Sequence, residues 1–506
     1  MTDAILAFNR RGLLKSAAAL AALGAFGAGR ALAQEAKSVA IALPTDPRSL
    51  DPLFRDDAVS GSIQRHLFDT LAHRGDDMVL RPYLATAIDR EDSTKWKVTL
   101  REGVHFTNGE PVDAEAVRFS LERVLNPDNK ATIRSQIEPL GKIEVLDPLT
   151  VRFETPNPDP LFIARLTWLQ IVPPKYIAEA GQQFANKPIG SGPYKLKSWA
   201  RNTEVALEVN PDFWGTKPVY SNVTFKVVPE EIARISALRS GDVQIAYNLS
   251  VNQANALSKE PGFRVVEQST SRVAVLNFNP AAAPADKLEF RKAVASAVNR
   301  EELQRGLIKQ LGQLANSLFA PAIQNVPAGA APGYAFSAEE AGKLINQAGL
   351  EGTAVEIGGS SGRFPLDREL VSAVAAQLKR TELNAKARVT EFGTYMTDIK
   401  AGRAAPVFLQ VQGNAWFDPV PQLDAFYLSG GLGSPWKDNE MDTLLGKTYT
   451  AASDDERNKA IADVVRRINE NVMSVPLFYY TYLHGTAEKI GWKPRADEFI
   501  FAFELT

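Results

Sequence analysis

Ile232-Ala233-Arg234-Ile235-Ser236-Ala237-Leu238-Arg239-Ser240-Gly241-Asp242-Val243-Gln244-Ile245-Ala246-Tyr247 decides the fold class. Ile232 to Leu238 reads as a helix, and Ser240-Gly241 stops it, because glycine takes the left-handed conformation that ends helices. Val243 to Tyr247 then returns as a short apolar run, the pattern of a buried strand. A helix followed at once by such a strand is an α/β element, so α/β is the predicted class.

The same grammar extends outward. Toward the N-terminus, Val205–Val209 and Val223–Val228 are extended runs, and Val145–Phe153 is two runs broken at Asp147-Pro148. Asp113 caps a helix with the apolar face Val117, Leu121, Val124 and Leu125, halted at Asn126-Pro127. Trp96, Val98 and Leu100 alternate as in a half-buried strand, Ile63, Leu67 and Leu71 keep helical spacing, and Val39–Leu43 is a strand closed by Pro44 before an irregular loop, Thr45–Pro52. Toward the C-terminus come a strand Val273–Phe278, a helix Ala338–Gln347, a strand Ala354–Ile357, a helix Asp367–Lys379, and strands Ala385–Thr390 and Val407–Val411. This is a second α/β lobe. Helices Met441–Thr450 and Asp454–Asn471 precede Val475–Tyr480, where Pro476 inside a β-run suits an edge or a crossover.

Composition narrows the function. The chain has 506 residues, 45% hydrophobic and 23% charged, which excludes disorder, collagen and coiled coil as global descriptions. At roughly 150 residues per domain it holds about three domains or large lobes. With no cysteine there are no disulfides, thiolate nucleophiles, Cys-ligated zinc or acylated N-terminal Cys. The net charge of −2, without a basic block, excludes the electrostatic footprint of nucleic-acid binding. Arg10-Arg11, the weakly apolar run Ser16–Gly29 and Ala31-Leu32-Ala33 together read as a twin-arginine export signal over residues 1–33. Removing its four bases and Asp3 shifts the net charge to −5. No other apolar segment reaches spanning length, so a soluble periplasmic protein is expected.

Catalytic constellations are sparse. The histidines are His66, His73, His105 and His484. The seven-residue spacing of His66 and His73 is wider than metal-binding pairs use, and we read both as partly exposed residues flanking a helix end. Gly358-Gly359-Ser360-Ser361-Gly362 fits G-x-S-x-G after a strand, but a nucleophile elbow needs its helix directly after the serine, and Arg363-Phe364-Pro365-Leu366 intervenes. It reads as a flexible loop at a strand terminus, with an exported serine hydrolase using Ser360 as the enzymatic alternative. Gly446-Lys447-Thr448 lacks the first glycine of a phosphate loop, since that position is Met441. Adjacent carboxylates such as Asp56-Asp57, Asp76-Asp77 and Asp454-Asp455 do not face a common point and read as solvated groups. No catalytic residue, metal or cofactor is assigned.

Ser49-Leu50-Asp51-Pro52, Phe68-Asp69-Thr70-Leu71 and Trp96-Lys97-Val98-Thr99-Leu100-Arg101-Glu102-Gly103-Val104-His105-Phe106-Thr107-Asn108-Gly109-Glu110-Pro111-Val112 occur in order along the chain. They are followed by Pro188–Tyr194, Asn210–Gly215, Leu238–Val243, Leu276–Asn279 and Phe290–Arg300. In these blocks the sequence resembles the extracytoplasmic solute-binding proteins of peptide and nickel ABC importers (solute-binding family 5). The resemblance implies a two-lobed periplasmic-binding-protein-like fold of type II, cluster C. Lobe one would be Gln34 to about Thr270 plus 483–506, with an extra subdomain about Ala72–Asn186, and lobe two about Ser271–Tyr482. It further implies a non-enzymatic, usually monomeric receptor that closes on a peptide or peptide-like solute and delivers it to a permease with its ATPase subunits. Sensory and chaperone roles use the same scaffold.

Peptide-binding relatives carry Ala-Asp-Tyr-x-Asp-Pro, whose first Asp pairs with the ligand ammonium. Here the segment is Asn414-Ala415-Trp416-Phe417-Asp418-Pro419, which puts Ala415 at that position and removes a charge-assisted contact worth about 1.5–3 kcal/mol. This argues against ordinary peptides and leaves amino-acid conjugates, opine-like sugar derivatives and oligosaccharides open; nickel lacks a histidine cluster. Trp416 is a ligand wall or a core residue, Asp418 a turn cap or a contact, and Arg272 a partner for a solute carboxylate or a solvated arginine. Asn277, Tyr247 and Ser360 complete the candidate ligand-binding set.

Overall fold

The computed structural model describes residues 37–55, 57–330 and 334–506, so the segment read as an export signal lies outside the described residues. An eleven-stranded sheet runs through the molecule. Across it lie Asn384–Glu391, Ala354–Ser361, Val407–Gln412, Phe263–Phe278, Ser474–Ala487, Ile245–Leu249, Ser38–Leu43, Asn222–Val227, Glu204–Val209 and Tyr194–Ala200, with Gly312–Leu314 paired to Ser474–Ala487. Ser38–Leu43 is parallel to both Asn222–Val227 and Ile245–Leu249. A crossover must join those two, and the helix Glu231–Ser240 supplies it, ending at Gly241 with φ +84°. Ala354–Ser361, helix Asp367–Lys379 and Asn384–Glu391 repeat the unit in the other half.

Two strands cross from one half to the other. Phe263–Ser269 pairs with Thr481–Ala487, Val273–Asn277 pairs with Ser474–Tyr479, and the register shifts between Ser269 and Val273. The near part is flanked by Ile245–Leu249 and the far part by Val407–Gln412. Pro476 sits at a second shift, Ala274/Val275, where a bulge interrupts the ladder that a proline cannot complete. A separate antiparallel sheet of Ala85–Arg90, Lys95–Leu100, Thr150–Glu154 and Lys142–Asp147 carries the helix Ala114–Leu125. Asp113 accepts from the Ala116 amide at 2.9 Å, and Val117, Leu121 and Val124 are buried with Val98, Val151 and Phe153 in a core of their own.

Several expectations are corrected. The helix Ala58–Leu67 stops before Leu71, because Phe68 is extended. The strand after Gly241 opens at Ile245 instead of Val243. Gly358 to Ser361 is strand, not loop: a Cβ at Gly359 would lie 2.2 Å from Val371 Cγ2, so the glycine lets helix Asp367–Lys379 sit on the strand. Gly446-Lys447-Thr448 lies inside the helix Asn439–Thr450.

Gly190-Ser191-Gly192 closes against the end of helix Ala58–Leu67. A Cβ at Gly190 would meet the Leu67 carbonyl oxygen at 2.0 Å, and one at Gly192 the His66 carbonyl oxygen at 2.6 Å. Between them Ser191 Oγ donates to Asp69 Oδ2 at 2.9 Å, as does Trp214 Nε1. Backbone cannot retreat as a side chain can, so Gly190→Ala is expected to cost about 3 kcal/mol in urea unfolding, the upper end for overpacking. Gly446→Ala, with nothing within 4 Å of its added Cβ, should instead gain about 0.5–1 kcal/mol.

Candidate functional site: an arginine-rich cavity at the seam between the lobes

A cavity of about 630 Å³ opens where the crossing strands change register. Its walls come from both halves: Arg55 to Arg74 and Trp168 on one side, Arg363-Phe364 and Gly413 to Phe417 on the other, and Arg272, Tyr482 and the segment 495–501 at the floor. Six arginines face three carboxylates, Asp57, Asp497 and Glu498.

Local structure positions each charge. Asp57 caps helix Ala58–Leu67, accepting from the Ser60 amide at 2.8 Å and from its hydroxyl at 2.7 Å. Arg65, in the last turn of that helix where the dipole favours a cation, donates to the Thr70 hydroxyl. The Arg55 guanidinium lies 3.9 Å from the Trp168 ring centre and donates to the Thr167 carbonyl at 3.3 Å. Arg74 donates to the Met78 carbonyl at 2.9 Å and to the Trp416 carbonyl, and sits 5.2 Å over Phe417. Arg363 is exposed, 5.6 Å from the Phe364 ring. Among the described residues none of these four arginines forms an ion pair. Two others do: Arg272 binds Glu498 at 2.6 Å, and Arg495 binds Asp497 at 2.7 Å and Glu504 at 2.8 Å.

The electrostatics follow. Burial pulls Arg55 down to about 9 and Arg74 to about 10, and lowers Arg65 as well, because a desolvated guanidinium without a counterion is costly. Arg272 is equally sheltered, yet Glu498 more than offsets the burial and its pKa is raised.

Of the residues singled out from sequence, Arg272 lines this cavity, paired rather than solvated. Trp416 is half-buried at the seam between the lining residues Ala415 and Phe417. Its ring centre is 5.5 Å from that of Trp168, and Arg165 lies 5.0 Å over it. The other four are turned into internal hydrogen bonds and do not line it. Asp418 caps helix Pro419–Tyr427 through the Val420 amide at 3.0 Å and binds Arg457 at 2.7 and 2.9 Å, with both side chains 9% exposed. Asn277, an odd number of residues beyond Arg272 and so on the opposite strand face, donates to Gln410 and accepts from Ser474. Tyr247 is covered, with its hydroxyl 3.2 Å from the Glu498 carbonyl. Ser360 is buried, 3.4 Å from Asp367 Oδ2. His484, the downstream histidine a hydrolase would use, has its ring nitrogens engaged by Asn248 and Gln268. Sequence reasoning missed Arg55, Arg65, Arg74, Trp168, Asp497 and Glu498, which lie at five separate places, the last two side by side, and carry no local pattern.

Two α/β halves joined by crossing strands, with a polar, aromatic-walled cavity at their seam, define a solute-binding protein of the two-lobed type. Residues 79–434 match the model of the bacterial extracellular solute-binding proteins, family 5 (middle). The chain belongs to that family and is the solute-binding component of an ABC importer. It is similar to the glutathione-binding protein GsiB of Salmonella paratyphi A, at 26% identity over 423 residues, 83% of this chain and 82% of that protein. It is also similar to the nickel-binding periplasmic protein of Escherichia coli K12, at 24% identity over 86% and 87% of the two chains. The structure of HbpA2 from Haemophilus parasuis shares the fold with a TM-score of 0.85 at 19% identity, covering 93% of this chain and 99% of that one. No helix among the described residues is long and apolar enough to cross a membrane.

Proposed function

We propose that this chain is a periplasmic, non-enzymatic receptor that holds a small peptide-like solute in the 630 Å³ cavity and hands it to a membrane permease and its ATPase. The observation that carries this is the placing of the cavity at the seam, with walls from both halves; its volume suits a small solute. The similarity to GsiB favours a peptide-like ligand. Lobe one comprises Gln34–Thr270 plus 483–506, with a subdomain about Ala72–Asn186, and lobe two Ser271–Tyr482; the register shift at Ser269/Val273 and the separate core around Val98 and Phe153 support these limits. Export follows the twin-arginine route, and the receptor acts as a monomer.

Closure makes occupancy legible to the permease only if the solute binds the closed form more tightly than the open one. Arg272, held by Glu498, and Trp416, held by Trp168 and Arg165, are the contacts that join solute binding to closure. Trp416→Ala removes a ring pair and a cation–π contact, together about 2 kcal/mol, and is expected to lower the closed-to-open ratio by about thirtyfold. Small-angle scattering should show a larger radius of gyration; an unchanged radius removes Trp416 from the latch.

Mass spectrometry of solute released from the purified protein, followed by thermal-shift titration, tests the function. A true solute at 100 Kd should stabilise the fold by about 2.7 kcal/mol and leave unaltered. A solute released as a different compound, or one whose turnover is lost in Ser360→Ala, contradicts the receptor reading.

A further inference from the structure

We infer that the solute carries two or more carboxylates and no free ammonium, and that Arg55, Arg65, Arg74 and Arg363 are its anion contacts. This rests on the receptor reading above and adds the chemical class of the ligand.

Charge commitments at the cavity carry the inference. Among the described residues, two of the three carboxylates that face it are ion-paired, Asp497 to Arg495 and Glu498 to Arg272, and the third, Asp57, is bonded by the Ser60 amide and hydroxyl. The four remaining guanidiniums have no carboxylate partner among the described residues. They are satisfied only in part, by the Thr167, Met78 and Trp416 carbonyls and the Thr70 hydroxyl. Among the described residues the cavity therefore holds four guanidiniums without a carboxylate partner against one carboxylate, Asp57, without a cation.

An isolated buried cation is strongly unfavourable, and a solute carboxylate compensates it with charge-assisted, often bidentate hydrogen bonds. Burial is the largest cause of the lowered pKa values of Arg55, Arg65 and Arg74, with Arg65 adding to it at Arg55, and the nearby carboxylates Asp497, Asp69 and Asp418 offset it only in part. One carboxylate has two oxygens, whereas the four guanidiniums project from four separate segments, so engaging them takes at least two acidic groups. The aromatic faces beneath Arg55 and Arg74 hold those guanidiniums from behind and leave their edges for a planar anion. An ammonium would enter among like charges. Ala415, exposed on the cavity wall, offers it nothing.

The experiment is calorimetric and thermal-shift titration of the exported chain at low salt. The probe panel is glutathione, N-acetylglutathione, glutathione diethyl ester, trialanine, tricarballylate and N-acylated acidic dipeptides. The expected result is that the tightest probe is an N-blocked polycarboxylate, at least tenfold tighter than its esterified or free-amine counterpart, with affinity falling as salt rises. Arg74→Gln and the exposed Arg363→Gln should each weaken that probe by tenfold or more, and Arg363→Gln, which has no carbonyl contact to lose among the described residues, should do so without lowering the melting temperature of the empty protein. A structural role would lower it. A tightest probe that is zwitterionic or neutral, or one indifferent to both substitutions, overturns the inference while the receptor reading stands. A flat response across the panel overturns the inference, and if no solute is released from the native protein either, the receptor reading falls with it.

Discussion

On titration from pH 7 to pH 4 the protein is expected to lose about 6 kcal/mol of folding stability through two histidines alone. His66 Nδ1 donates to the Ser62 carbonyl at 2.7 Å, while Nε2 accepts from the Ala502 amide at 2.9 Å. His484 Nδ1 accepts from the Asn248 amide at 2.9 Å, and Nε2 donates to Gln268 Oε1 at 2.9 Å. In each ring the only nitrogen free to take a proton already faces a backbone N–H, so protonation breaks a buried hydrogen bond and adds a charge. Tyr194, Phe225, Phe501 and Phe503 surround His66, and Tyr247 and Trp492 flank His484; among the described residues no carboxylate acts on either ring. Burial accordingly pulls His66 down to about 4 and His484 to about 3.

The sign follows from the unfolded reference near 6.5. Above that pH both states are neutral and nothing changes. As the pH falls from 6.5 toward 4 the unfolded chain takes up protons that the fold refuses, which costs about 3 kcal/mol per histidine by pH 4. Asp69, raised by burial, opposes the trend because its folded form holds a proton more readily. Urea unfolding across this window gives the slope, and ring-proton chemical shifts give the individual titrations. A His66 or His484 signal that titrates near pH 6.5 in the folded protein contradicts the prediction.

The second large effect is at Asp418. Its removal leaves Arg457 buried, charged and unpaired, and strips the cap from helix Pro419–Tyr427. Asp418→Ala is expected to cost about 3–5 kcal/mol in urea unfolding. The double substitution Asp418→Leu with Arg457→Leu should recover most of that loss, since the cost lies in the orphaned charge more than in the absent pair. An unchanged urea midpoint in Asp418→Ala, combined with lost solute affinity, would instead make Asp418 a ligand contact.

Much of the fold was legible because its signals are local. The cap at Asp113, the stop at Asn126-Pro127, the break at Asp147-Pro148 and the helix Asp367–Lys379 stand where the sequence puts them. The errors share a cause, which is that burial depends on partners distant in the chain. Gly358 to Ser361 reads as loop until Val371 is packed against it, and His66 reads as partly exposed until the C-terminal segment covers it. The cavity was hardly legible at all. Arg55, Arg65, Arg74 and Arg363 have the sequence surroundings of ordinary surface arginines, and only the crossing strands bring them together. Trp416 and Arg272 were found through the position of one segment and the start of one strand, cues that place a residue near a seam without saying what it touches.

The two crossing strands have a consequence for the integrity of the chain. Cut between lobes, each half would keep its parallel core but hold only a truncated piece of the ribbon, Phe263–Ser269 with Thr481–Ala487 in one and Val273–Phe278 with Ser474–Tyr479 in the other, whose outer strand has lost its continuation and frays into an open edge. Such edges recruit other chains. The halves should therefore melt as a single cooperative unit, and fragments expressed separately should aggregate unless produced together, when they can complement each other across the shared ribbon.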